Sequence, residues 1–477
     1  MDSPIVWLDS RRRTSHLADG SNVAHHEPLS YQLMAIWNKK DGAVAIDPSQ
    51  LTLGLFVWLD VKWSEHPFMS NRMLLKSEDD LAVMRTLDIA GRLYYFPSKS
   101  EVPLPPRAQT DAAAAPAASK SAAEKPAVAG EGVPADTKPP ARLELSAQQQ
   151  QIAQLKAERM VRHKQSQVQA DRAWESTART TREALTAVTA APRAAGKKLD
   201  GMSTDMASAV ARGKAVMLHL LGTKVGGVQQ CHALNTLTLA MMLGKRAGLD
   251  ETALKDLAMA AVVHDAGKAE IPTRILAVGK RNRYEEDQYR QHLQFSLRFA
   301  TESGMFSAQA LEIIADHHEL VDGSGWPKGK RDLSIGARIL ALVDRYDRLC
   351  TPEALDLAPM APTEALSQLL KRESARYDTA LLGFLIKLLG VYPPGTIVQL
   401  SDGGLGQVVA PGSQSLKPKV VIFNESSSKE EAHVLELELA GELKVSAALR
   451  LDSLPADVLA WFKPDQPQAY FFAVNSD

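Results

Sequence analysis

The sequence predicts a multi-domain protein whose largest part is mainly α-helical, with a small α+β domain before it and a small β-rich domain after it. Apolar residues recur at the helical spacing of about 3.6 residues through most of residues 203–390. Beyond Pro393 and Pro394 the apolar period changes to two, which is typical of strands. A stretch rich in alanine and proline separates the amino-terminal part from the rest.

The amino-terminal part is predicted as two segments. Residues 1–45 lack a clear apolar period, and we expect them to be poorly structured. Residues 46–100 are predicted as a small α+β domain, because LGLFVWLDV and RLYYF are typical of strands and SEDDLAVMRTLDI is typical of a helix. Ser77 can cap that helix, since its hydroxyl accepts a hydrogen bond from a free amide of the first turn.

Residues 101–142 are predicted as a disordered linker. They contain 13 alanines, eight prolines and no aromatic residue, so they cannot bury enough apolar surface to offset the entropy lost on ordering. Residues 143–200 are predicted as a long connecting or coiled-coil helix, because they are rich in glutamine, alanine and arginine. The 143–190 stretch of this helix also offers a surface for a homodimer.

The helical domain is predicted over residues 203–390. It contains a succession of segments with apolar helical faces, the first of which is MASAVARGKAVMLHLL, residues 206–221. Residues 391–477 are predicted as a β-rich carboxy-terminal domain, because TIVQL, GQVVA, KVVIF and HVLELEL are separated by glycine-rich turns.

The composition excludes several classes of protein. The net charge is −1, without the basic excess that is typical of DNA-binding proteins. The sequence contains no run of about 18 apolar residues, so it predicts no membrane span. Two cysteines, Cys231 and Cys350, cannot form a disulfide framework. We therefore expect a cytoplasmic protein.

The most informative feature is a series of histidines and aspartates in the helical domain. Five of the 12 histidines lie between positions 232 and 318. Asp265 and Asp344 follow apolar runs, and burying a carboxylate there without a cation would be costly. The candidate metal ligands are His232, His264, Asp265, His292, His317, His318 and Asp344. Imidazole and carboxylate groups together suit manganese, iron or zinc.

The candidates also have structural interpretations. His232 shares a helix face with apolar residues, as a core histidine would, and Asp265 can form an ion pair with Lys268. Neighbouring residues on a helix point about 100° apart. We therefore expect His317 and His318 to bind different ions of a close pair.

Two adjacent divalent ions suit the hydrolysis of a phosphate ester by a hydroxide that both ions activate. Such a site needs a bridging carboxylate and terminal ligands on each side. Asp265 is the natural bridge, and Lys268 can neutralise a phosphate oxygen in the transition state.

The motifs HDAGK, HHELVDGSGWP and ILALVDRYD, in this order, resemble the HD-GYP group of the HD metal-dependent phosphohydrolase superfamily. The resemblance covers residues 205–390, and residues 46–97 look like the small domain of unknown function that often precedes HD-GYP domains. It implies an HD-type helical catalytic domain with two or three divalent metal ions, iron or manganese. It also implies hydrolysis of cyclic di-GMP to pGpG or GMP in bacterial second-messenger signalling.

The resemblance assigns roles to individual residues. It implies that all seven candidates bind metal and that Asp265 and Lys268 act in catalysis. It also implies that Gly325, Trp326 and Pro327 form the substrate loop.

Three features depart from the family pattern. Trp326 stands where the family has tyrosine, and keeps an aromatic face while its indole N–H replaces the hydroxyl. Three-metal members have a glutamate one helical turn before the first histidine, but this chain has Val228, so we expect two ions. After the last ligand the family has cations that bind the substrate phosphates, whereas Glu353 and Asp356 stand near their places.

Three functions follow as hypotheses. The first is a phosphodiesterase that acts on cyclic di-GMP. Because acids repel a dianionic substrate, the second is a weak or inactive metal-containing domain that serves as a sensor or binds a signalling protein. The third keeps the chemistry but takes another nucleotide. The cations that can replace the missing ones are Arg345, Arg348, Lys328, Lys330 and Arg331.

Overall fold

The structure of the protein is a computed structural model. Its first described part, which lies within residues 42–107, contains an antiparallel sheet of four strands. The strands are β1 (Val44–Ala45), β2 (Phe56–Leu59), β3 (Arg72–Leu74) and β4 (Leu93–Tyr95), in the order β1-β4-β2-β3. Helix α1 (Glu78–Thr86) follows β3. Ser77 caps it by accepting a hydrogen bond from the Asp80 amide at 3.1 Å, as predicted. Leu55, Val57 and Met84 are fully buried in the core between sheet and helix.

The structure describes part of the chain. The described residues are 42–61, 66, 68, 71–107, 154, 172, 174–213, 216–221, 227–424, 428, 429, 432, 434–440, 442–463 and 469–474. Most of the predicted segment 1–45 and of the linker 101–142 lies outside them. Half of the helix predicted over 143–200 and most of the surface suggested for a homodimer also lie outside them. Residues 174–187 are helical.

The central part is a bundle of helices. They are α2 (Pro192–Arg212), α3 (Val228–Arg246), α4 (Glu251–Val263), α5 (Thr273–Leu276), α6 (Arg283–Arg290), α7 (His292–Ser303), α8 (Ala308–Asp316), α9 (Ile335–Cys350), α10 (Pro362–Arg372) and α11 (Thr379–Leu389). Helix α3 packs against α2, α4, α9 and α11. Because neighbours surround it, every residue from Cys231 to Gly244 is buried, including the polar His232 and Asn235.

One predicted helix is wrong in its second half. The helix predicted over 206–221 ends at Arg212, and Val216–Leu221 form strand β5. This strand pairs antiparallel with β11 (Ala469–Val474), which packs on α3. A short continuous apolar run such as VMLHLL does not distinguish a strand from a buried helix, and the partner strand that decides the outcome lies at the far end of the chain.

The carboxy-terminal part contains an antiparallel sheet of five strands. They are β6 (Ile397–Leu400), β7 (Leu405–Ala410), β8 (Lys419–Ile422), β9 (Val434–Glu436) and β10 (Val445–Ala448), in the order β10-β6-β7-β8-β9. Helix α12 (Ala456–Phe462) follows. The predicted fold class, mainly helical with strands in the parts before and after, is confirmed. In the part of the chain that the structure describes, we find no helix with the length and apolar character to cross a bilayer.

Candidate metal centre

Residues from five helical segments meet at one place in the bundle. The seven predicted ligands lie within α3 (His232), just after α4 (His264 and Asp265), at the start of α7 (His292), just after α8 (His317 and His318) and within α9 (Asp344). The structure brings all seven together, in two groups of four whose donor atoms lie within 4.8 Å of one another. The His317 group is Asp265, His292, His317 and His318. The His232 group is His232, His264, Asp265 and Asp344.

Asp265 belongs to both groups and turns a different oxygen to each. Its Oδ1 lies 3.5 Å from His292 Nε2, on the side of the His317 group. Its Oδ2 lies 3.4 Å from His232 Nε2 and 3.5 Å from His264 Nε2. This is the placement that a bridging carboxylate needs.

Gly267 allows this close approach between Asp265 and His292. A Cβ atom at Gly267 would lie 2.0 Å from the His292 carbonyl oxygen and 2.6 Å from the Ser296 amide nitrogen. Its own amide donates to Ser296 Oγ at 2.8 Å. The glycine of the HDAGK motif therefore lets the start of α7 rest directly on the turn that carries Asp265.

The imidazole rings are oriented by hydrogen bonds from Nδ1. The Nδ1 atoms of His264, His292 and His317 donate to the carbonyls of Ala261, Tyr289 and Ile314 at 2.9, 2.6 and 2.7 Å. His232 Nδ1 lies 2.7 Å from Asp347 Oδ2. A carbonyl can only accept, so a neutral ring bonded in this way turns an Nε2 lone pair to the centre. Such outer hydrogen bonds are typical of histidines that bind metals.

The Nε2 atoms and the carboxylate oxygens form an arrangement that fits metal ions. His232 and His264 place their Nε2 atoms 3.2 Å apart, and His292 and His318 place theirs 3.1 Å apart. Lone pairs at these distances repel unless a cation lies between them. Asp265 Oδ1 and His317 Nε2 are buried and have no hydrogen-bond partner among the described residues, although buried polar atoms normally have one.

The protonation of the His317 group and of Asp265 suits cation binding. In the His232 group, by contrast, burial alone would lower the pKa of His232, but hydrogen bonds to Asp265, Asp344 and Asp347 outweigh burial and hold that pKa well above its ordinary value. Burial lowers the pKa of His292 to about 4 and that of His317 to about 3, so both rings are neutral at pH 7. Burial alone would raise the pKa of Asp265, but the charges of Arg348 and Lys268 outweigh it and hold that pKa well below its ordinary value. Neutral imidazoles and ionised carboxylates are the forms that bind metals.

One expectation about the adjacent histidines is wrong. We expected His317 and His318 to face different ions, but both lie in the same group, with ring centroids 3.9 Å apart. The reason is that α8 ends at Asp316, so His317 and His318 occupy a turn. The angle of about 100° between neighbours holds only within a helix.

Two cations contact the carboxylates of the centre, the buried Lys268 and the half-buried Arg348. Lys268 Nζ lies 2.9 Å from Asp265 Oδ2 and 2.7 Å from Glu353 Oε2. Arg348 donates from Nε to Asp344 Oδ1 at 2.8 Å and from Nη2 to Asp265 Oδ2. A cavity opens beside the His232 group, lined in part by Gln229, His232, Lys268, Arg348, Thr351 and Glu353.

The predicted substrate loop packs directly against a predicted ligand. The Trp326 ring stacks on His318 with centroids 4.1 Å apart, and the Trp326 amide donates to the His318 carbonyl at 3.1 Å. A Cβ atom at Gly325 would lie 2.4 Å from the Leu320 amide nitrogen. Glu319 accepts from the amides of Lys328 and Lys330 and so holds the far side of the loop. Gly325 and Trp326 therefore also position His318.

Comparison with known proteins places this centre in a family. A model of the HD domain matches residues 211–381, which include all seven side chains, and a model of a domain of unknown function, DUF3391, matches residues 43–199. The chain carries an HD domain. The motifs predicted a member of the HD superfamily with a small domain of unknown function before the HD domain, and this prediction is confirmed.

Several relatives of this HD protein have named activities. A cyclic di-GMP phosphodiesterase of Pseudomonas aeruginosa is 26% identical over 406 residues, which are 83% of this chain and 89% of the relative. A 3'3'-cGAMP-specific phosphodiesterase of Vibrio cholerae is 29% identical over 29% of this chain and 27% of its own length. Among solved structures, an HDG"Y"P protein of Bdellovibrio bacteriovorus is 14% identical, with a TM-score of 0.38 over 73% of this chain and 98% of that protein.

The sequence did not identify a second layer of polar residues behind the HD centre. Asn235 Nδ2 donates to Asp347 Oδ1 at 2.7 Å, and Asp347 Oδ2 holds His232. Asn235 Oδ1 accepts from the Tyr470 amide at 2.8 Å, so the carboxy-terminal strand β11 joins the same network. Asp347 lies one helical turn after Asp344. Burying its carboxylate without a partner would be as costly as burying that of Asp344, and this signal could have identified it in the sequence.

Replacing Asn235 by alanine is expected to destabilise the HD domain by about 2–4 kcal/mol, because it leaves the Asp347 carboxylate and the Tyr470 amide without this partner. Urea denaturation measures the change. Thr238→Val is the matched control, since Thr238 Oγ1 also bonds β11, to the Tyr470 carbonyl at 3.1 Å, but does not contact Asp347. An Asn235→Ala variant that is as stable as the wild type would show that the hydrogen bonds of Asn235 do not stabilise the domain.

Proposed function

We propose that this protein is a metal-dependent phosphodiesterase that hydrolyses cyclic di-GMP to pGpG or GMP. The observation that carries the proposal is the pair of His/Asp groups that share Asp265, within an HD domain. The names of its relatives support the substrate, in particular the cyclic di-GMP phosphodiesterase that aligns with 83% of this chain. In this function the chain acts in bacterial second-messenger signalling.

The residues of the two groups fit two divalent metal ions. Imidazole nitrogens and carboxylate oxygens without thiolate suit iron or manganese, and we propose one of these. When bound, the ions supply Lewis acidity and an activated water for attack on phosphorus. Asp265 is the shared ligand. The other six side chains bind on one side or the other as their groups indicate.

The protein's own residues position the substrate and balance its charge. Lys268 lies against Asp265 at the edge of the cavity, where its ammonium can contact a phosphate oxygen of the substrate. Arg345 does not serve this purpose, because it forms a two-bond ion pair with Glu373 at 2.9 and 2.8 Å. Trp326 holds His318 in place by stacking.

A second candidate function has a specific observation in its favour. Glu353 lines the cavity and bonds to Lys268, so an acid already neutralises the cation that would bind phosphate. Asp356, the other acid in this loop, instead caps the Gly279 amide at 2.6 Å. A domain with this arrangement can bind a nucleotide or a signalling protein without fast turnover, as a sensor or interaction module.

One experiment separates these functions. The full chain is purified with manganese or iron and incubated with cyclic di-GMP, with 3'3'-cGAMP as the alternative substrate, and products are separated by chromatography. Release of pGpG or GMP supports the phosphodiesterase. Binding of cyclic di-GMP in calorimetry without any product supports the sensor. Hydrolysis of 3'3'-cGAMP but not of cyclic di-GMP would replace the proposed substrate and leave the proposed reaction, phosphodiester hydrolysis, unchanged.

A further inference from the structure

Arg348 lies across the two carboxylates of the His232 group. Its Nε donates to Asp344 Oδ1 at 2.8 Å, one helical turn back on α9, and its Nη2 donates to Asp265 Oδ2. Hydrogen bonds between ions of this kind are about twice as strong as neutral ones. The guanidinium therefore supplies a positive charge to the pair of acids from within the protein.

The oxygens that Arg348 contacts are those that face the histidines. Asp344 Oδ1 lies 3.1 Å from His232 Nε2 and 3.3 Å from His264 Nε2. Asp265 Oδ2 lies within 3.5 Å of both nitrogens. A metal ion bound by the His232 group and the guanidinium of Arg348 must therefore share the same two oxygens.

Among the residues that the structure describes, the His317 group has no comparable internal cation. In the described part of the chain, the ion pairs that Lys268 and Arg348 make with Asp265 both use Oδ2. Asp265 Oδ1, which faces the His317 group, is buried and has no hydrogen-bond partner within the described ranges, and the same is true of His317 Nε2. A metal ion that binds to this group can use both of these unpaired donor atoms as ligands, and it displaces no protein cation.

We infer that the two metal sites have unequal affinities and that Arg348 causes the difference, by competing with the metal ion of the His232 group. The inference rests on the proposed metal centre. Glu353 offers the position to which Arg348 can move when that ion binds, since its Oε2 lies 3.8 Å from Arg348 Nη1. The repulsion between a guanidinium and a divalent ion at short range favours this movement.

The test is a calorimetric titration of the metal-free full chain with Mn²⁺, together with elemental analysis after removal of excess metal. We expect one tight equivalent and a second that binds at least about 10-fold more weakly. Arg348→Met should tighten the second equivalent by about 10- to 100-fold, the range that charge-assisted hydrogen bonds represent, and should leave the first unchanged. Arg348→Gln, which keeps the capacity to donate hydrogen bonds without the charge, should act in the same direction.

Arg345→Met is the matched control. Arg345 lies on the same helix and pairs with Glu373 outside both groups, so both affinities should stay as in the wild type. Thermal melting shows which variants are folded. A second equivalent that binds no more tightly in folded Arg348→Met or Arg348→Gln protein overturns the inference. Two equal sites in the wild type overturn the inference alone, whereas a wild-type chain that binds no Mn²⁺ overturns the proposed function as well.

Discussion

Replacing Asp265 by alanine is expected to remove bound metal from both sites and to lower the hydrolysis of cyclic di-GMP on the order of 10⁴-fold, the scale seen when one member of a catalytic unit is lost. The physical reason is that Asp265 is the one residue common to the two groups, with Oδ1 on one side and Oδ2 on the other. Its loss also leaves Arg348 and Lys268 without one of their acidic partners. Elemental analysis and the chromatographic assay measure both effects.

Two further variants make this result specific. Asp265→Asn keeps the shape but not the charge, and we expect it to lose most of the metal as well. Asp256→Ala removes an aspartate from α4 that belongs to neither group, and it should keep wild-type metal content. Full metal content in folded Asp265→Ala protein would show that Asp265 is not the bridge.

Replacing Lys268 by methionine is expected to lower turnover by about 100- to 1,000-fold, the cost of removing a group that stabilises developing charge, while both metal ions stay bound. Methionine keeps much of the side-chain volume in this buried position, and the seven proposed ligands are untouched. Steady-state kinetics together with elemental analysis distinguishes a loss of turnover from a loss of bound metal. Wild-type turnover in this variant would remove Lys268 from the mechanism.

Glu353→Gln is the companion variant to Lys268→Met. It removes the negative charge that lies 2.7 Å from Lys268 Nζ, so the ammonium becomes available to an anionic substrate. We expect KM for cyclic di-GMP to fall, by about 10-fold if one charge-assisted hydrogen bond is gained. An unchanged or higher KM would show that Glu353 does not oppose substrate binding.

The cost of burying charge explains what the sequence could predict. Asp265 and Asp344 follow runs that only a core can accommodate, and such carboxylates need a cation. This reasoning selected residues that the structure brings together from distant helices. Similarly, the cap at Ser77 follows from the local sequence alone, and the structure has it.

Other features depend on contacts between distant segments. The end of α8 at Asp316 decides that His317 and His318 share one group, and no sequence signal marked that end. The strand at 216–221 exists because β11 pairs with it. The bonds of Arg348 to Asp265 and of Lys268 to Glu353 join residues more than 80 positions apart, so a sequence gives the charges but not the pairing.

The most direct test of the dinuclear centre is anomalous diffraction from crystals of the protein loaded with Mn²⁺. The proposal requires one anomalous peak among His292, His317, His318 and Asp265 Oδ1, and a second among His232, His264, Asp344 and Asp265 Oδ2. Mn²⁺ peaks elsewhere on the protein, with neither group occupied, would contradict it.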